Sequence, residues 1–382
     1  MKKLNRKLDM PLLIYTSILV IIGLVMIFSS SSISSVLQYN VSEYYFFIRQ
    51  LIFIVIGYLA GIIIIKIPLH KYKHIYKLLM IIIIASLAGL FIWGSVTNNA
   101  QSWYKIGPMS IQPSEFAKTA VVLYLALYYA THKNQKKEYD FIYPFITCMI
   151  PVVLILAQPD LGTAAIIGIT MFFIFISLPF GNNHIFKVLR VVATAGIIVV
   201  ASVLIFGGKF LTNEQASRLT FKDPCTRYTE KTGYQVCNGM IAINNGGLFG
   251  VGLGKSTQKY LYLPEAHTDF IFPIIVEELG SLFGVLIIIL YILLLHRLLV
   301  ISKNASNIAG SIIAYGTFLL ILIHIFINFL GILALIPLTG VPVPFLSYGG
   351  SFVINLIVLI FLSERVAIES KEAKLKRELE RI

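Results

Sequence analysis

Glu265, His267, Thr268 and Asp269 put four polar side chains within five residues, directly before the apolar run 270–276. Two carboxylates, an imidazole and a hydroxyl at that spacing can take or hold a proton. They stand where a glycine-rich polar segment turns into an apolar helix. Ionisable groups at the lip of a membrane helix are costly unless solvated or paired, which makes the cluster a candidate functional site. Asp269 suits a general base, because partial burial would raise its pKa toward a useful value. Thr268 and Asp269 are equally good helix N-caps, and the local residues leave both roles open. Glu277 and Glu278 follow eight and nine residues later, about 12 Å deeper in a straight helix. At that separation neither shares a substrate atom with Asp269, so a paired-carboxylate glycosidase site is not expected. The two glutamates are expected to hydrogen-bond between helices, in the middle or on the cytoplasmic side of the bundle.

Other candidates lie apart in the chain. Lys118 and Glu115 are spaced i,i+3 on a helix expected from Pro113, just after Gln112. Lys118 is the best fixed cation for a phosphate, with a structural ion pair as the competing role. Arg49, near the outer end of the second expected helix, either snorkels to headgroups or meets a phosphate. Asp160, in the short turn 158–162, either caps the next helix or touches substrate. His324 in mid-helix is expected to be a satisfied core histidine. Ser347 and Gly349, in the uncharged segment 337–351, are expected to line the same cavity as Asp269. Asp269 with Glu265 or His267 makes only a weak metal signal. No cofactor is fixed by the residues, and a divalent cation, Mg or Mn, stays open.

These residues need a scaffold, and composition says which. Of 382 residues 57% are hydrophobic and 13% charged, about half the charged share of a soluble domain. The apolar runs are of membrane-spanning length. The expected fold is all-α and polytopic, with about ten transmembrane helices in one domain, 1–382. The net charge of +13 suggests nucleic acid at first sight. Of the 31 Lys and Arg residues, most instead fall in alternate short loops and the tails, the positive-inside pattern that sets topology. Both termini are then cytoplasmic, and the site faces outside. The seventh helix is expected over 191–206, a large extracellular loop over 208–268 and an eighth helix from 269 to about 298. A tenth over 352–362 precedes a basic cytoplasmic tail, 363–382. Residues 240–249 read as short amphipathic pieces on the membrane surface. Cys225 and Cys237 share the external loop, where a disulfide is permitted and two thiols remain the alternative. Cys148 lies inside an apolar helix.

Five ordered motifs carry a resemblance. They are WYKIGPMSIQPSEFAK (103–118), QPDLGTA (158–164), NNGGLFGVGLG (244–254), LPEAHTDFIFPIIVEELG (263–280) and PLTGVPVPFLSYGGS (337–351). Together they resemble the SEDS proteins, the FtsW/RodA-like family of shape, elongation, division and sporulation, and look closer to the FtsW division branch. The resemblance covers nearly the whole chain. It implies a peptidoglycan glycosyltransferase that polymerises lipid II at the outer membrane face, with undecaprenyl pyrophosphate as leaving group. It also implies a class B penicillin-binding protein as transpeptidase partner, within the divisome or elongasome. Asp269 matches the family's catalytic carboxylate. A lipid II flippase and a non-catalytic scaffold for a transpeptidase are the alternatives. The polar residues crowd the outer half rather than forming a path through the bilayer, which favours surface chemistry.

Overall fold

A computed structural model describes residues 8–97, 100–107, 109–132, 139–178, 190 and 221–380. The helix expected over 191–206 and the first part of the large loop lie outside the described residues. The chain is helical and polytopic. Helices α1 (Met10–Leu37), α2 (Tyr45–Lys66), α3 (Tyr76–Trp93), α4 (Pro113–Thr131), α5 (Tyr139–Ala157) and α6 (Leu161–Ser177) form its first half. Then come α7 (Lys231–Gly246), α8 (Ile271–Leu279), α9 (Ser281–Lys303), α10 (Ile308–Ile332) and α11 (Gly350–Leu379). Among the described residues α1, α2, α3, α9, α10 and α11 are long and apolar enough to cross a membrane, and α5 and α6 are shorter apolar helices.

Local sequence sets several helix starts. Asp9 accepts from Leu12 N–H (3.3 Å), Asp160 from Thr163 N–H (3.0 Å) and Asn307 from Gly310 N–H (2.8 Å), each filling an amide the first turn leaves open. Pro113 starts α4 where its missing N–H costs nothing. Packing then sorts the faces. Helix α2 shows Leu51, Ile52, Val55, Ile56 and Leu59 on its outer flank, as lipid-facing helices do. Helix α4 is buried from Pro113 to Tyr129 except at Phe116 and forms the centre. Helices α2 and α11 approach closely because Gly61 leaves room for the Phe361 ring, the small-residue contact that membrane helices favour.

Three expectations are corrected. The eighth helix is not continuous from 269 to 298. It breaks at Gly280 (φ +88°) into α8 and α9. Segment 247–252 lies across the break: Gly247 O accepts from Ser281 N–H (2.9 Å), and Val251 and Gly252 donate to the carbonyls of Glu277 and Glu278 (2.9 and 3.0 Å). A Cβ at Gly280 would stand 2.2 Å from Leu248 O, so both the backbone conformation and the crossing require glycine. The last helix does not stop at 362, since α11 runs unbroken to Leu379. Residues 240–249 are not separate short surface pieces: 240–246 end one helix, α7 (Lys231–Gly246), packed on α8, and 247–249 are a turn. Residues 95–111 also carry a small antiparallel sheet in which β2 (Ala100–Ile106) lies between β1 (Ser95–Thr97) and β3 (Met109–Ile111).

The described N- and C-terminal segments meet at one end of the bundle. There Lys371 Nζ donates to Leu8 O (2.9 Å), Asp9 N–H to Glu364 Oε2 (2.9 Å), Arg297 Nε to Asp9 Oδ1 (3.1 Å) and Arg365 Nη1 to Ile65 O (3.0 Å). Helix rise measures depth from that level. Gln50 is fifteen residues, about 22 Å, along α2 from Ile65, and Gly350 is fourteen residues, about 21 Å, along α11 from Glu364. Ser29 is twenty residues, about 30 Å, along α1 from Asp9. Gln50 and Gly349 are hydrogen-bonded (3.1 Å), so the two shorter estimates describe one level, roughly 8 Å below Ser29.

Candidate active site

Asp269 sits in the turn before α8, which Ser347 joins to the Gln50–Gly349 level. Its backbone is held from two sides. Asn328 Nδ2, on α10, donates to Asp269 O (2.7 Å) and to Val341 O (2.8 Å). Ser347 Oγ donates to Thr268 O (2.6 Å), and Tyr348 N–H donates to His267 O (2.9 Å). Gln50 Nε2 reaches Ser347 O (3.4 Å) while its Oε1 accepts from Gly349 N–H. Segment 337–349 therefore clamps the turn, and Ser347 and Gly349 act through backbone and hydroxyl contacts.

The Asp269 side chain is 8% exposed. Oδ1 lies 3.2 Å from Thr268 Oγ1. Oδ2 faces Gly340, 3.7 Å from where a Cβ would stand there. Burial pushes its pKa from 3.8 up to about 7, and the nearby Glu265 carboxylate pushes the same way, against the Thr268 hydrogen bond. Such a carboxyl takes up and releases protons near neutral pH. Glu265 is exposed, and its Oε2 accepts from Thr268 Oγ1 (2.8 Å).

His267 packs its ring against Phe46 (4.4 Å between centroids) and Tyr348 (5.7 Å). Burial lowers its pKa to about 4 despite Glu265, so the imidazole is neutral at pH 7. Arg49 stands over the Tyr45 ring (5.1 Å) and donates to its hydroxyl, and its charge reaches Tyr348.

Asp160 caps α6 and also accepts from Gln112 Nε2 (3.3 Å). The next residue but one, Gly162, faces Thr339 and Val341, so the Asp160 turn and Asp269 flank the same strip, 339–341. Lys118 is deeper and 2% exposed, with Nζ 2.8 Å from Glu115 Oε1 and 2.9 Å from His324 Nε2. The competing ion-pair role for Lys118 is therefore present in the fold. His324 is satisfied, as its sequence position suggests, and its partner is Lys118.

Glu277 and Glu278 do hydrogen-bond between helices as expected, Glu277 with Asn245 of α7 (3.3 Å) and Glu278 with Ser29 of α1, but not in the middle or on the cytoplasmic side of the bundle. They face the segment leading into the site. Glu277 accepts from Thr257 Oγ1 (2.9 Å), from the amides of Thr257 and Gln258 (both 3.3 Å) and from Ser256 Oγ. Glu278 pairs with Lys259 Nζ (2.8 Å) and accepts from Ser29 Oγ (2.7 Å) and Gly254 N–H (3.0 Å). The break at Gly280 lets residues 247–259 fold back over them, so their partners come from the segment leading to Asp269 as well as from neighbouring helices. Lys259, Asn328 and Gln50 were missed in the sequence. The one available signal was the adjacent pair of glutamates in an apolar helix, which demands buried donors.

The disulfide Cys225–Cys237 is formed and fastens the turn Pro224–Arg227 to α7. Among the described residues no group of three or more His, Cys, Asp or Glu side chains is placed to hold a metal ion.

Known proteins match along nearly the whole chain. A family model described as a cell cycle protein, built on FtsW, RodA and SpoVE, matches residues 10–372. The probable peptidoglycan glycosyltransferase FtsW of Bacillus subtilis is 37% identical over 394 residues, which is 100% of this chain and 95% of that protein. Stage V sporulation protein E of the same organism is 36% identical over 352 residues, 90% and 92% of the two chains. Thermus thermophilus RodA, a rod shape determining protein, superposes with a TM-score of 0.69 at 23% identity, covering 94% and 96%. A chain of a peptidoglycan synthase complex that coordinates polymerization and crosslinking gives 0.75 at 21% identity, covering 95% and 98%. With a family model matching residues 10–372 and a relative 37% identical over the full length, this chain belongs to the FtsW, RodA and SpoVE family of cell cycle proteins.

Proposed function

We propose that this protein is a peptidoglycan glycosyltransferase that polymerises lipid II, with Asp269 as the general base. The observation that carries the reading is the carboxyl at 269, buried and shifted to about 7, in a chain matching a probable peptidoglycan glycosyltransferase over its full length. An acceptor sugar hydroxyl placed at Asp269 Oδ2 would lose its proton as its oxygen attacks the donor anomeric carbon. The electron pair of the breaking bond leaves with the lipid pyrophosphate, and the family resemblance implies inversion.

The leaving group needs positive charge. Arg49, over the Tyr45 ring and beside the Phe46 and Tyr348 rings that hold His267, is one candidate. Lys118, six residues or about 9 Å along α4 from Gln112, would act from below as a fixed charge. Among the described residues no set of side chains is placed to hold a divalent cation, so the charge for the leaving group is assigned here to the protein's own cations.

Two features support a site on the outer side with both termini cytoplasmic. The Cys225–Cys237 disulfide is in the segment that leads to Asp269, and disulfides persist in an oxidising exterior. The opposite end carries Lys66, Lys71, Lys73, Lys303 and Lys371, as inner loops do. A class B penicillin-binding protein is the proposed partner, with a division role suggested by the FtsW relatives.

The test is glycan formation from labelled lipid II by the protein with its transpeptidase. Wild type should make chains and Asp269→Asn none, with the folded yield unchanged. Lipid flipping by wild type without chain formation would overturn the reading in favour of a flippase. Intact cell-wall synthesis with Asp269→Ala would overturn it in favour of a scaffold.

A further inference from the structure

The base must lose the proton it takes, and the geometry of the turn shows a way out. In the proposed reaction Asp269 Oδ2 takes the acceptor hydroxyl, and little of the residue is exposed to water even without substrate. The other oxygen, Oδ1, turns toward Thr268. The Thr268 hydroxyl lies 3.2 Å from Asp269 Oδ1 and 2.8 Å from Glu265 Oε2. Glu265 is exposed. Three oxygens thus run from a buried carboxyl through a hydroxyl to a carboxylate in water.

We propose that Glu265 and Thr268 are the proton exit for the transferase reaction, a route that rests on Asp269 being the base. The acceptor O–H breaks and its proton binds Asp269. Asp269 then donates it to Thr268 Oγ1 while Thr268 gives its own hydroxyl proton to Glu265 Oε2. Glu265 releases that proton to water, and Thr268 turns back to its starting hydrogen bond. One proton leaves per glycosidic bond, and no other bond changes in the relay. Thr268 can serve because a hydroxyl accepts and donates at once.

The alternative carriers nearby are less well placed. The His267 ring is held between Phe46 and Tyr348, and among the described residues no hydrogen bond joins it to either carboxylate. Its low pKa also makes it a poor resting place for a proton. Ser347 Oγ is committed to Thr268 O and Val343 N–H. Glu265 has positive φ, +59°, in a turn whose Thr268 and Phe270 amides donate to Glu265 O (3.1 and 3.3 Å), and this turn brings its side chain back toward Thr268.

The experiment uses the full-length protein with its partner transpeptidase and measures lipid II turnover in a series of buffer concentrations. Thr268→Val and Glu265→Gln are expected to lower kcat about ten- to a hundred-fold, at the lower end of general acid–base effects, with KM for lipid II unchanged. Raising imidazole buffer should restore their rates, because a diffusing base can replace a missing relay. Thr268→Ser, which keeps the hydroxyl, should recover to within a few fold of wild type. Wild-type rates for both variants, with Asp269→Asn inactive, would overturn the relay and leave the base assignment standing. Equal losses for Thr268→Val and Thr268→Ser without recovery in buffer would make Thr268 a packing residue and also overturn the relay. Near wild-type turnover by Asp269→Asn would overturn the base assignment itself, and the relay with it.

Discussion

Lys118 Nζ stands 2.9 Å from His324 Nε2, and the same imidazole's Nδ1 lies 2.6 Å from Leu320 O. A carbonyl only accepts, so Nδ1 carries the ring proton and Nε2 offers its lone pair to the ammonium. The histidine thereby fixes a charge between α4, α10 and the Phe352 ring of α11. His324→Leu should leave that ammonium with Glu115 as its remaining hydrogen-bond partner among the described residues and cost about 3 kcal/mol, as breaking a buried charged network does. His324→Gln, whose amide oxygen can accept, should retain most of the stability. Melting in detergent checks both, and equal melting temperatures for the two variants would remove the hydrogen bond from the explanation.

The Lys259–Glu278 pair makes a second buried contact, with both side chains at most 2% exposed. Lys259→Met should strand the carboxylate and cost about 3–5 kcal/mol. Adding Glu278→Gln should return part of that loss, since a neutral amide can stay with Ser29 and the Gly254 amide. A double variant as unstable as the sum of the singles would show that the two residues act independently.

Asp269 ties rate and stability to pH in opposite directions. The unprotonated base is the working form, so turnover should rise through about pH 7. Folding raises the carboxyl pKa from 3.8, so the folded state keeps its proton longer than the unfolded chain. The residue's contribution to stability is then greatest below about pH 4 and falls as pH rises toward 7. Asp269→Asn should melt with wild type at low pH and above it at pH 8, by a few kcal/mol at most at about 1.4 kcal/mol per tenfold. A parallel pair of melting curves from pH 4 to 8 would show that the carboxyl is not shifted.

The Cys225–Cys237 bridge closes a short loop, with the cysteines 12 residues apart. Its loss by Cys225→Ser should cost about 3 kcal/mol by the chain-entropy estimate. Because α7 packs on α8, the loss should also lower turnover. Proteolysis of residues 221–230 with turnover unchanged would confine the bridge to local stability.

Apolar run length, basic loops and helix-start residues are local properties, so the polytopic class, the cap at Asp160 and the start at Pro113 could be read from the chain alone. Asp269 could be singled out too, since a carboxyl at the lip of an apolar segment is rare whatever surrounds it. What only the tertiary structure decided was distance between parts remote in sequence. Gly280 in an apolar stretch reads as an ordinary small helical residue until Leu248 O is seen against it, and the roles of Glu277 and Glu278 turn on that break. Lys118 was visible as a cation, but its partner His324 is 206 positions away, and no periodicity links them. Asn328, which holds Asp269 and Val341 together, looks like any polar residue in a long helix. Its meaning comes from two carbonyls brought to one point by folding, each of which would otherwise lie buried without a donor.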